Sequence, residues 1–257
     1  MHLNNITHVR RMDTEMIRRD ALQILAATYR AEKHWIDHED TVLPRQELEN
    51  RQVSWFVVYA GEQPAGVVRV LYDPPLALYR EYGLQNMSAD FDVDGFLASH
   101  RIAEIGRFAV LPSYRKNMVV VARLMGAASR ETLELGYSHY VTDVFEGEQH
   151  SPLFFHTRVM GFQPVATHAT GELKCAHRRI TLILDLVAAY RRLRGANNWI
   201  YRALTEDWSL ELHQRLCHAP EPRSVTSEPA ALSSSAPESP SRPAKVGLRE
   251  LVAAPAA

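Results

Sequence analysis

Three charged residues sit where the surrounding sequence argues for burial. Glu104 and Arg107 lie within IAEIGRFAV (102–110), and Arg69 lies among the valines and leucine of AGVVRVL (65–71). A carboxylate in an apolar strand is costly to bury alone. Glu104 therefore either pairs with Arg107 or Arg69, or serves as a proton acceptor. Arginines in such strands need acidic partners, and they also suit a two-point grip on a ligand carboxylate. Just downstream, Arg115, Lys116 and Asn117 occupy the turn before a helical pattern. The first amides of a helix have no partner within it, and its dipole is positive there, which suits phosphate oxygens. A strand feeding such a turn can hold a phosphate-tailed carrier, with the carrier's reacting end along the strand. The same residues also describe an ordinary strand–turn–helix packing unit.

The elements that position these residues follow from periodicity. Residues 101–125, RIAEIGRFAVLPSYRKNMVVVARLM, read as strand, turn and helix: Pro112 and Ser113 break the apolar run, and from Met118 the spacing becomes helical. That helix is predicted to stop at Gly136. Upstream, VSWFVVY (53–59) and AGVVRVL flank Gly61–Pro64, which predicts a hairpin. A first strand is expected within 3–12 and a helix over 14–33, with Asp13 as N-cap and Ile17, Ala21, Ile24, Leu25 and Tyr29 along one face. HWIDHEDTVLP (34–44) reads either as a solvated loop anchored by Trp35 or as a lip over a substrate pocket, with Asp37, Glu39 or Asp40 meeting an amine. Residues 76–99 are expected to run over the surface, with DFDVDGF as an acidic loop.

Beyond the central unit, a strand is predicted over 137–145, a helix from Pro152 to Met160 ended by Gly161, and strands over 162–168 and 175–186. Helices follow over 187–217, with Trp199, Leu204 and Leu212 expected to pack onto the body. Residues 219–245 hold six prolines and seven serines with hardly any large apolar side chain, so disorder is expected there. The domain organisation is then 1–186 as one domain, 187–218 as a helical extension packed on it, and 219–257 as a disordered tail.

Composition excludes several classes. At 257 residues with 46% hydrophobic and 23% charged content, the chain is expected to be globular. A net charge of −1 provides no field for nucleic acid. Cys175 and Cys217 lie far apart, and the histidines show no metal-ligand spacing, so neither a disulfide framework nor a metal site is expected. There is no 18-residue apolar run and no leader-like start, and a cytoplasmic protein without a transmembrane segment is expected.

The order hairpin, long strand, turn, helix, strand, helix ending in Gly-Phe, then two strands resembles the GNAT superfamily of acyltransferases over about residues 5–186. FAVLPSYR (108–115) resembles its strand-to-phosphate-loop motif and VMGF (159–162) its late corner. The resemblance implies an α/β (α+β) fold with a mixed, mostly antiparallel sheet of six to seven strands flanked by helices. Met118 and Val120 stand where that superfamily places glycines in its pyrophosphate loop, and Thr157, after His156, stands where it places a general-acid tyrosine. AEIGRFAV (103–110) and GVVRVL (66–71) are closer to the N-acyl amino acid synthases and acyl-homoserine-lactone synthases, which take acyl chains from acyl carrier protein.

The implied activity is N-acyl transfer from an acyl-phosphopantetheine thioester, on acyl carrier protein or acyl-CoA, to a small amine such as an amino acid. No permanently bound cofactor is implied. Glu104 and Arg107 are then the expected catalytic residues, with a strand bulge implied that brings them together. Phe108, Ala109, Val110, Arg115, Lys116, Asn117 and Met118 are expected to bind the donor, and Arg69, Trp35 and Asp37 the acceptor. An acetyl-CoA-dependent N-acetyltransferase and a non-catalytic acyl-binding module are the competing expectations.

Overall fold

Every residue of the strand Val53–Ala60 is buried, and its alternation dictates the layering. Successive side chains of a strand point to opposite faces. Trp55, Val57 and Tyr59 pack on one face with Ile17, Ala21, Ile24 and Leu25 of the helix Glu15–Leu25. Phe56, Val58 and Ala60 pack on the other with Val120, Leu124, Met125 and Ala128 of the helix Met118–Glu134. A strand buried on both faces reads as a nearly continuous apolar run, here interrupted only by Ser54, whose hydroxyl accepts from Arg11.

The computed structural model describes residues 7–75, 82–87 and 91–219. In chain order its elements are β1 (Thr7–Arg11), α1 (Glu15–Leu25), β2 (Val53–Ala60), β3 (Gln63–Tyr72), β4 (Gln85–Asn86), α2 (Val93–Ser99), β5 (Ile102–Val110) and α3 (Met118–Glu134). They continue with β6 (His139–Phe145), β7 (Gln163–His168), β8 (Arg179–Asp185), α4 (Leu186–Ala196), α5 (Trp199–Thr205) and α6 (Leu210–His218). The strands form one eight-stranded sheet in the order β1-β2-β3-β5-β6-β8-β7-β4, antiparallel except where β5 meets β6.

The mixed α/β fold matches the sequence reading, with local differences. The eighth strand, β4, has two residues and exists only through pairing with β7, so it leaves no pattern to read. Thr14, not Asp13, caps α1: its backbone is extended and its hydroxyl accepts from the Ile17 amide at 3.4 Å. The helix widens into π-helical turns over Ala26–Glu32, and His34 ends it at a left-handed φ of 55°. Part of the expected acidic loop is α2, capped by Asp92 accepting from the Gly95 amide at 3.0 Å. Leu204 and Leu212 join the core, whereas Trp199 is 47% exposed. Gly126 explains how α5 lies so close to α3, since a methyl there would come within 2.1 Å of the Leu204 carbonyl oxygen. Residues 3–6 of the expected first strand, 76–81 and 88–90 of the expected surface segment, and the tail from 220 onward lie outside the described residues. No helix among the described residues is long and apolar enough to cross a membrane.

Candidate active site

The site begins where the sheet comes apart. β5 and β6 pair in parallel only from Ile102–Glu104 against His139–Val141. Past that point β5 stays with β3 as far as Val110, and β6 stays with β8 as far as Phe145. The strands diverge, and a cleft of about 400 Å³ opens between them. Residues 104–110 of β5 form one wall and Thr142–Phe145 of β6 the other. Strand edges that lose their neighbour present backbone donors and acceptors to whatever enters.

A bulge aims the charged residues of β5 into this cleft. Between Val67 and Arg69, β3 advances two positions while β5 goes from Ala109 to Gly106, so β5 carries one extra residue. Arg107 takes up the strain with a left-handed φ of 52°. Strict alternation would put Glu104 and Arg107 on opposite faces; with the bulge, both line the cleft. Gly106 lets Glu104 and Arg69 close over the strand, because a methyl there would lie 3.2 Å from Glu104 Oε1 and 3.8 Å from Arg69 Nη2.

Several charges in this region have specific partners. Arg69 Nη2 lies 2.6 Å from Glu104 Oε1, with Arg69 buried beneath the cleft rather than lining it. Arg107, which also lines the cleft, pairs with Glu172 of the β7–β8 connection. Arg115 curls back to donate to the Val110 carbonyl at 3.1 Å and holds Glu32 through two guanidinium nitrogens. Those bonds from Arg115 hold the Glu32 carboxyl below the usual carboxylate range. Lys33 pairs with Glu148 and donates to the Gln149 carbonyl at 2.7 Å, tying the end of the α1 extension to the loop after β6.

Trp35, Phe108, Ala109, Val110 and Met118 line the cleft as well. Trp35 leans on Phe145 with centroids 4.6 Å apart and on Tyr29 at 5.2 Å, so segment 29–35 straps across the splayed strands. Asp37 is outside the cleft, exposed and paired with Lys174 at 2.5 Å. Lys116 is exposed, and Asn117 caps α3 by accepting from the Val119 amide at 3.1 Å; neither lines the cleft. Val120 is wholly buried in the core.

Two further groups matter for chemistry. The Tyr29 hydroxyl donates to the Phe108 carbonyl at 3.4 Å, and burial pushes its phenol up to about 12. His156 lines the cleft among Phe108, Phe155 and Phe162, and burial pulls its imidazole down to about 4. At neutral pH both are uncharged. Thr157 turns away from the cleft chemistry, donating back to the Leu153 carbonyl at 2.8 Å.

The family model for N-acyl amino acid synthase FeeM matches residues 20–173, the span from α1 to the β7–β8 connection that walls the cleft. The chain belongs to the N-acyl amino acid synthase FeeM family. It is accordingly an N-acyltransferase. Among solved structures, FeeM, an N-acyl amino acid synthase from uncultured soil microbes, shares the fold at a TM-score of 0.55 and 16% identity, over 72% of this chain and 93% of that one. Aminoglycoside 6'-acetyltransferase type Ii aligns at a TM-score of 0.50 and 12% identity, over 70% of this chain and 97% of that one. At such identities these likenesses speak to the fold alone. Comparison with curated proteins gives no match.

Several charged residues in or beside the FeeM-family cleft carry less signal in the sequence than Glu104 does. Asp143 is the exception, an acid inside the apolar strand YVTDVF, the same signal that flagged Glu104. Glu172, Glu32 and Lys33 carried no such signal, since they lie in a polar connection and at a helix end, where charge is ordinary.

Proposed function

We propose that this FeeM-family chain transfers an acyl group, of long chain, from a phosphopantetheine thioester to the amine of a small acceptor such as an amino acid. The observation that carries the reading is the divergence of β5 from β6 just past Glu104, next to a bulge that turns Arg107 into the gap. A thioester arm laid along β5 would replace the missing neighbour strand. The Val110 carbonyl is taken by Arg115, so that residue's peptide faces away from β3. Its amide points the same way and is suited to hold the oxyanion.

In this reading the acceptor's ammonium loses a proton to Glu104, directly or through water. Arg69 holds Oε1 and leaves Oε2 for that proton. Deprotonating an α-amino group costs about 1 kcal/mol at neutral pH, and alignment of the two reactants can contribute about 7–11 kcal/mol. The nitrogen then attacks the thioester carbonyl. The C–S bond breaks, the nitrogen gives up its second proton, the departing sulfur takes one up, and an amide and a free thiol leave. Arg107 would grip the acceptor's carboxylate after exchanging it for Glu172, with Trp35 shaping the acceptor side and Arg69 acting only through Glu104.

The donor side favours acyl carrier protein over acyl-CoA. Met118 fills the place of a phosphate-loop glycine at the cleft, and side chains there obstruct the close backbone approach that a pyrophosphate needs. Arg115 and Lys33 are already neutralised by Glu32 and Glu148, which leaves Lys116 and the start of α3 for one phosphate. A carrier-protein arm brings a single phosphodiester, whereas CoA brings several phosphates. An acetyl-CoA-dependent N-acetyltransferase would want the opposite arrangement. The catalytic domain is taken as residues 1–186, supported by the helices of 187–218, acting in the cytoplasm where acyl carrier protein is charged. Mass spectrometry of lipid extracts from cells producing the protein tests the reading: N-acylated amino acids should accumulate, and an unchanged lipid profile together with inert purified protein would refute it.

A further inference from the structure

Four carboxylates among the described residues line the cleft: Glu104, Asp143, Glu148 and Glu172. Three of them are matched to a lysine or arginine, Glu104 to Arg69, Glu148 to Lys33 and Glu172 to Arg107. Asp143 is not. Its oxygens are held by uncharged or titratable neighbours instead: Oδ1 accepts from the Thr181 hydroxyl at 2.8 Å, and Oδ2 lies 3.0 Å from His168 Nε2. His168 is fully buried, and its Nδ1 faces the Thr170 carbonyl at 2.7 Å. A carbonyl can only accept, so Nδ1 carries a proton there, and Nε2 bonds Asp143 only when it is protonated too, which makes the ring a cation beside that carboxylate.

The side chain of Asp143 keeps 25% of its surface accessible, on the β6 wall opposite Glu104 and Arg107. A carboxylate has about four lone-pair sites, and its two contacts leave others for a donor entering the cleft. An acid held by the Thr181 hydroxyl, open to the cleft and without a lysine or arginine partner, is arranged to receive a cation from a ligand.

We propose that Asp143 binds the acceptor's amine, presenting the nitrogen across the gap from the thioester strand β5, and that His168 and Thr181 are positioning residues for that carboxylate. The assignment rests on the reading of the cleft as an acyl-transfer site with an amine acceptor. Glu104 receives the proton in that reaction, and Asp143 holds the ammonium before it is lost. The acceptor class is thus a primary amine small enough to bridge β6 and β5, with Arg107 in reach of a second, anionic group.

The test uses the full chain, palmitoyl-pantetheine as donor, and the proteinogenic L-amino acids one at a time, with released thiol as the readout. For whichever amino acid the wild type turns over, Asp143→Asn should raise the acceptor KM by about ten-fold or more, the effect of losing a charge-assisted hydrogen bond. The donor KM should stay within about two-fold, since Asp143 is not on the donor strand. Asp143→Glu should recover part of the loss, and His168→Gln should raise acceptor KM less than Asp143→Asn while leaving donor KM alone. An Asp143→Asn enzyme with wild-type acceptor KM overturns the assignment.

Should these variants fail to fold, the wild type supplies a second measurement. The His168 ring resonances should shift when that amino acid is added and stay put with its α-hydroxy analogue; no shift with the amino acid overturns the assignment. Absence of thiol release from the wild type with every amino acid would instead refute the acyl-transfer reading, and the assignment with it.

Discussion

Arg69 and Glu104 come from adjacent antiparallel strands and meet with Nη2 2.6 Å from Oε1, at the level where β5 parts from β6. The pairing sets how Glu104 can act. One oxygen is committed to a buried guanidinium, and the other is left for exchange with solvent or substrate. Arg69 itself is pulled down by burial and raised by Glu104, with the net effect upward, so it stays a fixed cation.

Replacing Glu104 by Gln keeps the side chain's shape and one hydrogen-bond acceptor for Arg69 but removes the proton acceptor. Turnover should fall by about 100-fold or more in a protein that still folds, at lower stability because buried Arg69 loses its anion. Arg69→Met should act on the fold as well, lowering stability by about 2–3 kcal/mol in a denaturant titration because Glu104 is left without its cation. Equal turnover in wild type and Glu104→Gln would remove that residue from the reaction.

Arg107 holds a left-handed backbone conformation that side chains disfavour by about 1 kcal/mol or more. Arg107→Ala keeps the strain and loses the Glu172 contact; Arg107→Gly loses the contact but relaxes the backbone. The glycine variant should therefore unfold at higher denaturant than the alanine variant, a reversal of the usual order. Both should bind the acceptor's carboxylate poorly, read as raised acceptor KM.

In the proposed reading, Glu32 competes with donor phosphate for Arg115. In Glu32→Gln the guanidinium is released, and KM for an acyl-CoA donor should drop several-fold while KM for the acyl carrier protein donor changes little. Rising salt should weaken this gain, as expected for charge pairing near a surface. An unchanged ratio of the two KM values would show that Glu32 does not screen the donor.

His156 has a depressed imidazole, down to about 4 against an ordinary value near 6.5, through burial. Between those values the unfolded chain binds a proton that the folded chain does not. The histidine therefore leaves stability intact above about pH 6.5 and removes up to about 3 kcal/mol as pH falls toward 4. His156→Phe, which suits a wall of phenylalanines, should flatten that part of the curve. His139 is depressed in the same range by burial and by the neighbouring His100 charge, so the informative quantity is the difference between wild type and variant.

Much of this architecture was legible in the chain because it depends on local periodicity. The apolar run of β2, the break at Pro112–Ser113, the helical spacing after Met118 and the stop at Gly136 each need only neighbours in sequence to be read. Glu104, Arg69 and Asp143 are likewise visible as charges inside apolar strands, which water would have to give up. Only the tertiary structure decided what those charges do. Whether Glu104 meets Arg69 or Arg107 turns on one extra residue in β5 opposite β3, and alternation alone predicted the wrong side for Arg107. The partners Glu172, Glu32 and Glu148 lie tens of residues away in sequence, in segments where acids are commonplace. The cleft itself is a place where two strands stop pairing. Loss of a neighbour leaves no mark on a strand's own sequence, since either strand would carry the same alternation with or without it.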